Sequence, residues 1–304
     1  MNKLNNEFIL SNNIIEAEEK HSLFDDKIDD IQIYPLIRMG LYYKLTENLN
    51  YYSPQPKKNF KISSKNIISL IKHLYNNNDL KKIKTKFIGV IEHPRRIDDM
   101  DIDIYTDFLK DILSITTISN PHYGNQILGK TDNKIVYYDY YILKKNIISL
   151  FYFNKKINNY AKKLSKIISQ EFDSNNNYEN FLVKLIKDRY LSCNIAYSFL
   201  KKTNIKSLII VNSYGFNHFV WAAKKLNIKT IELQHGIISN LHLGYHYPSS
   251  KIDSIDCFPE YLLTFGNFWN ELAKIPIKKN RIIANGYFFF NKQVAKYQNL
   301  NIQK

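Results

Sequence analysis

The chain has little of what makes special backbone or special chemistry. Its 304 residues hold two cysteines, nine glycines, eight prolines and two tryptophans. Cys193 and Cys257 stand far apart without a metal-type neighbour spacing, so a reduced, cytoplasmic protein is the expectation. The glycines form neither GxGxxG nor GxxxxGK[ST], which removes the support for a nicotinamide dehydrogenase or a P-loop enzyme. A Gly-x-Ser-x-Gly elbow and a zinc-protease motif are also missing. No apolar run approaches the roughly 18 residues of a membrane span. The opening MNKLNNEFIL lacks the apolar core of a signal peptide. Membrane contact is therefore expected only as a peripheral one, on the inner face.

Arginine is scarce beside lysine, while Asn, Lys and Ile dominate, and the formal net charge is +15. Such a surplus favours anionic partners: nucleotide phosphates, lipid head groups or nucleic acid. Nucleic-acid binding calls for clustered basic runs with aromatic platforms. The lysines are instead scattered at helical spacing (Lys144, Lys145, Lys155, Lys156, Lys162, Lys163, Lys166), as on solvated helix faces. No nucleic-acid partner is expected. The first thirty residues run against the trend, with Glu16, Glu18, Glu19, Asp25, Asp26, Asp29 and Asp30. They are expected as an acidic, partly disordered segment or a short peripheral helix.

What is present is an apolar content of 44%, enough for a substantial core. Helical spacing predicts helices over residues 31–49, 63–74, 146–170 and 178–202, with an amphipathic segment at 105–113. Continuous apolar runs predict strands at 87–91, 207–211, 229–233, 261–265 and 281–284, and a Val/Ile/Tyr-rich strand at 134–143. Helices at 216–226 and 267–274 alternate with the later strands. This pattern is α/β: a Rossmann-like parallel sheet with helices on both faces and added N-terminal helices. The domain reading is an acidic segment at 1–30, a single domain over 31–286 with a helical insertion at 146–203, and a tail at 287–304.

Polar clusters follow the strands, at the sheet edge where doubly wound proteins bind ligands. Residues 230–248, TIELQHGIISNLHLGYHYP, hold three of the eight histidines. Gln234-His235-Gly236 ends an apolar strand, and glycine after histidine permits a tight turn or an exposed amide. A neutral imidazole there suits general-base work on a hydroxyl, since its pKa lies near working pH. The blander reading is a histidine bonded to backbone to fix the turn. His242 and His246 have a metal-compatible spacing only if helical, which Gly244 and Pro248 oppose, so no metal site is expected. With Tyr245 they read as a polar rim contacting substrate. Arg95 and Arg96 suit bidentate contact with a phosphate or carboxylate, or equally ion pairing with the run Asp98 to Asp103. Residues 212–218 (NSYGFNH), with Asn212 and Ser213 first, offer amide and hydroxyl groups to the same crevice.

The runs IELQHGIIS, HLGYHYP, FPEYLLTFGNFWNELA and RIIANGYFF, with IYPLIRMGLYYKL and EHPRRIDDMDIDIYTDFL upstream, resemble bacterial surface-polysaccharide glycosyltransferases of the GT-B type. The chain is similar to capsule and O-antigen enzymes and, more distantly, to the glycerophosphotransferases of teichoic acid synthesis. The resemblance implies the N-terminal, acceptor-side half of a GT-B fold. It makes His235 the catalytic or transition-state-orienting residue, and implies a nucleotide-sugar donor as substrate with no cofactor. The acceptor would be a polysaccharide or lipid-linked. Far fewer residues follow Gly286 than the order of 100 that a nucleotide-binding domain needs. The donor half is accordingly expected from a separate chain, or the frame is split or truncated. The other class of function is a non-catalytic binding or partner module of polysaccharide synthesis.

Overall fold

The computed structural model describes residues 3–47, 87–91, 93, 96–97, 100–119, 135–172 and 177–297. The helix expected at 63–74, Arg95 and the end of the tail lie outside the described residues. The chain opens with α1 (Lys3–Lys20), a 3₁₀ turn (Leu23–Asp25) and a two-stranded hairpin of β1 (Lys27–Ile28) and β2 (Ile31–Gln32), then α2 (Ile33–Thr46). β3 (Ile88–Ile91) is followed by a second hairpin, β4 (Arg96–Ile97) and β5 (Met100–Asp103), and by α3 (Leu109–Ile112), β6 (Ile115–Ser119) and β7 (Ile135–Tyr137). Three helices come next: α4 (Asp139–Phe151), α5 (Lys155–Glu171) and α6 (Glu179–Leu200). The last part alternates: β8 (Ser207–Val211), α7 (Asn217–Lys225), β9 (Lys229–Leu233), β10 (Tyr261–Thr264), α8 (Asn267–Glu271), β11 (Ile282–Ala284) and α9 (Phe288–Tyr297).

The main sheet has seven strands in the order β11-β10-β9-β8-β3-β6-β7, and every neighbouring pair is parallel. Burial on both faces explains the continuous apolar runs, because alternate residues of one strand enter different layers. Leu208 and Ile210 join the large core under the helices, whereas Ile209 joins Val90, Ile115 and Leu109 of α3 on the other face. The protein is thus an α/β fold whose parallel sheet is flanked by helices. From β3 the chain winds outward through β6 and β7, then returns to place β8 on β3's other side. The switch point lies between β3 and β8, where such a sheet opens a crevice at the strands' carboxyl ends.

Several expectations need correction. The segment 146–170 is not one helix: α4 and α5 are separate, broken at 152–154. Asn154 takes an extended conformation there and its side chain accepts the Lys156 amide at 2.8 Å, capping α5. Residues 134–143 are strand only over β7, and α4 begins at Asp139. No strand was expected at β6, yet all five of its residues are buried. Residues 3–20 form a helix, one of the two expectations for the first thirty residues, and what differs is how deeply the stretch is buried. Glu18, Leu23, Phe24 and Ile28 are buried, so the acidic stretch is built into the core. Among the described residues no helix is long and apolar enough to cross a membrane.

Candidate functional site

Three strand ends converge at the switch point. β8 ends in Asn212, whose φ of 66° is a left-handed conformation that asparagine tolerates. Its side-chain oxygen accepts the Gly215 amide at 3.1 Å, closing a turn that presents Tyr214. β9 carries Glu232 in its interior and ends in Gln234-His235. His93 stands beyond the end of β3, its ring 6.0 Å from that of His235.

His235 is partly exposed, and both ring nitrogens are met by tyrosine hydroxyls at 3.2 Å: Nε2 by Tyr214 and Nδ1 by Tyr245. Its backbone carbonyl accepts the Tyr105 hydroxyl at 2.8 Å. Behind Tyr245 lies Glu232, wholly buried. Its Oε1 accepts the Tyr245 hydroxyl at 2.7 Å and the Ser213 amide at 2.9 Å, while Oε2 is buried with no hydrogen-bond partner. Burial pushes the Glu232 carboxyl above its usual range, and the bonds from Ser213 and Tyr245 offset part of that. Burial likewise holds the Tyr245 hydroxyl well above ordinary tyrosine.

Gln234 is buried and bonded at both ends of its amide. Oε1 accepts the Phe265 amide at 2.7 Å, and Nε2 donates to the Gly236 carbonyl at 2.8 Å. It locks the end of β9 to that of β10. A Cβ at Gly236 would meet nothing within 4 Å, so neither close approach nor a left-handed backbone demands glycine there. Gly244 differs, since a Cβ would lie 2.6 Å from the Tyr214 ring and 2.7 Å from that of His242.

The chain from His242 to Tyr247 is held from below by α1 and α2. The Arg38 guanidinium is buried with Glu18, at 2.5 Å from Nε and 2.8 Å from Nη2, and Tyr34 donates to the same carboxylate at 2.9 Å. Its Nη1 donates to the carbonyls of Leu243 and of His246, the latter at 2.8 Å. One buried ion pair therefore fixes the loop that presents Tyr245.

Other expected site residues lie apart from His235 or serve the fold. His242 packs between Tyr214 and Tyr245, each ring 5.1 Å away, and accepts the Gly244 amide at Nδ1; burial lowers its pKa. His246 accepts the Lys274 amide at Nδ1 at 3.0 Å, and burial with the charges of Arg38 and Lys274 pushes it down to about 4. Neither joins a metal-type cluster, and among the described residues no group of three such ligands exists. Ser213 is buried, with its amide given to Glu232. Arg96 stands opposite Asp103 in the β4–β5 backbone register, and the Asp103 carboxylate bonds the His93 and Tyr105 amides and the Thr106 hydroxyl. It acts as a turn clamp that holds His93 and Tyr105 beside His235.

Glu232 and Tyr105 were not singled out from the sequence, and Tyr214 only as an unnamed member of the 212–218 cluster. Glu232 carried a signal: a carboxylate inside an otherwise apolar, doubly covered strand marks a site. The tyrosines carried none, because abundant tyrosine interleaved with apolar positions reads as core. Beside His235 an aromatic cleft of about 30 Å³ is lined by Tyr105, Phe108, Gln234, Phe265 and Tyr287. Tyr287 stacks on Phe265 at 4.6 Å and on Tyr105 at 5.9 Å. Chemically, the arrangement presents a partly exposed imidazole between two tyrosine hydroxyls, next to an apolar wall. No known protein family model matches the chain, and neither does any curated protein or solved structure.

Proposed function

We propose that this crevice is the acceptor-activating site of a GT-B-type glycosyltransferase of bacterial surface-polysaccharide synthesis, with the sheet as the enzyme's acceptor-side half. The observation that carries the reading is His235 at the switch-point crevice, its ring set between Tyr214 and Tyr245 hydroxyls. A base so held takes the proton of an acceptor hydroxyl. The acceptor oxygen then bonds to the anomeric carbon of a nucleotide-activated sugar. The bond from that carbon to the donor phosphate breaks, and its electron pair leaves with the nucleotide. Tyr105, Phe265 and Tyr287, stacked on one another, give the crevice an apolar wall beside the base. Cationic or amide groups for the departing phosphate belong to the donor-side half in this reading. Transfer takes place on the cytoplasmic side, on a polysaccharide or lipid-linked acceptor.

The test is sugar transfer in the complete biosynthetic system with His235→Ala. Loss of a general base lowers turnover by about 100-fold or more. Full activity in that variant overturns the assignment. A second reading, a non-catalytic partner module, is favoured by the exposed apolar side chains near the β11 edge, namely Ile283, Phe268, Phe288 and Phe290. It predicts an intact complex and unchanged polymer synthesis in the His235→Ala strain.

A further inference from the structure

The proton positions around His235 follow from the bonds behind it. Tyr245 has one hydroxyl proton and two neighbours, Glu232 Oε1 at 2.7 Å and His235 Nδ1 at 3.2 Å. Glu232 Oε1 already faces the Ser213 N–H at 2.9 Å, so that oxygen is an acceptor. If Glu232 is neutral, its proton sits on Oε2, the buried oxygen without a partner. In either charge state the Tyr245 proton points to Glu232, and the Tyr245 oxygen turns a lone pair toward the imidazole. A lone pair facing Nδ1 needs a hydrogen there.

We propose that Glu232 and Tyr245 are positioning residues that lock neutral His235 in its Nδ1–H tautomer and leave Nε2, the nitrogen beside Tyr214, as the proton-accepting atom. The relay runs Ser213 amide and Tyr245 hydroxyl to Glu232, then His235 Nδ1–H to Tyr245, and Tyr214 hydroxyl to Nε2. It spans β8, β9 and the loop fixed by Arg38, so the base is oriented by three separately held parts of the fold. Carboxylate orientation of a catalytic histidine is common; here a buried tyrosine stands between the two. The incoming hydroxyl takes the place that the Tyr214 hydroxyl holds at Nε2, and the proton moves to that nitrogen.

The proposal rests on the reading of His235 as base, but the tautomer is measurable without substrate or activity. In ¹⁵N-histidine-labelled protein at pH 8, long-range ¹H–¹⁵N spectra separate a protonated ring nitrogen from a bare one. His235→Gln identifies which of the eight histidines is observed. The wild-type ring is expected to show protonated Nδ1 and bare Nε2. Tyr245→Phe keeps the shape of the side chain and is expected to lose that preference. Glu232→Gln, whose carbonyl is held toward the Ser213 amide, is expected to retain it. A wild-type ring protonated at Nε2 overturns the relay, as does an unchanged tautomer in a folded Tyr245→Phe. If Tyr245→Phe fails to fold, the wild-type and Glu232→Gln spectra still decide, because a Glu232→Gln ring protonated at Nε2 contradicts the relay. Protonated Nδ1 in a chain whose His235→Ala variant keeps full transfer would fail the transferase reading and leave the tautomer assignment standing.

Discussion

At the scale of single residues, Arg38 sets the geometry of the site without touching it. Burial works to lower its pKa, but the Glu18 charge outweighs that and holds the guanidinium above the usual arginine range. A buried charge left without its partner is costly, so Arg38→Met is expected to lose about 3–5 kcal/mol in urea unfolding. Adding Glu18→Leu removes the stranded carboxylate and should recover much of that loss; a double variant as weak as the single one would contradict the account. His246 gives the pH dependence. Its folded pKa is about 4 against an ordinary 6.5, so the fold favours the neutral ring. That contribution is complete above about pH 6.5 and is lost as pH falls toward 4, because the unfolded chain takes up the proton first. His242 shifts in the same direction. Thermal midpoints compared at pH 7.5 and 5 should fall further in the wild type than in His246→Gln. Equal falls would remove His246 from the explanation.

At the scale of elements, local caps and close approaches decide where pieces begin and how they meet. Asn154 is the cap that splits a continuous apolar periodicity into α4 and α5, and Asn154→Ala should cost about 1 kcal/mol of stability. Gly244→Ala should act on function as well. Its Cβ would press on Tyr214 and His242, moving the Tyr214 hydroxyl off His235, and transfer should drop even in protein that still unfolds cooperatively. The strands with polar ends were legible in sequence because an apolar run that stops at Asn-Ser or Gln-His carries two signals at once. β6 was not, because Thr116 and Thr117 score as polar although β-branched residues suit a buried strand. The α4–α5 break was hidden for the opposite reason, since the 3.6-residue pattern runs on across it. His235 was legible as a histidine at a strand end. Tyr245 was legible as part of the same cluster but as a rim residue for substrate, whereas it is buried and bonded to His235 and Glu232; Tyr214 belongs to another strand's turn. Only folding brings them within hydrogen-bond distance.

At the scale of the whole molecule, the charge of +15 is unevenly placed, and the acidic first thirty residues serve as the counterweight. Asp25, Asp26, Asp29 and Asp30 pair with Lys251, Lys163, Lys156 and Lys225, which come from three separate places along the chain, two of the lysines standing on α5. Each aspartate–lysine pair has at least one well-exposed member, and such pairs contribute about 0–1 kcal/mol. The segment is held by the apolar side chains among and beside them. Leu23, Phe24, Ile28 and Ile31 are buried in the main core, each worth about 1.5–3 kcal/mol, and Glu18 neutralises Arg38. These magnitudes separate two experiments. Sodium chloride on the order of 0.5 M screens the exposed pairs and should move the thermal midpoint little. Deleting residues 1–25 strips Leu23 and Phe24 from the core and leaves Arg38 buried without a counter-charge. The losses together approach the whole stability of a typical domain, about 5–15 kcal/mol. The shortened chain should therefore be insoluble or lack a cooperative transition by circular dichroism. A truncation that unfolds at the wild-type temperature would mean that the N-terminal segment is dispensable and that the loop carrying Tyr245 is held by other contacts.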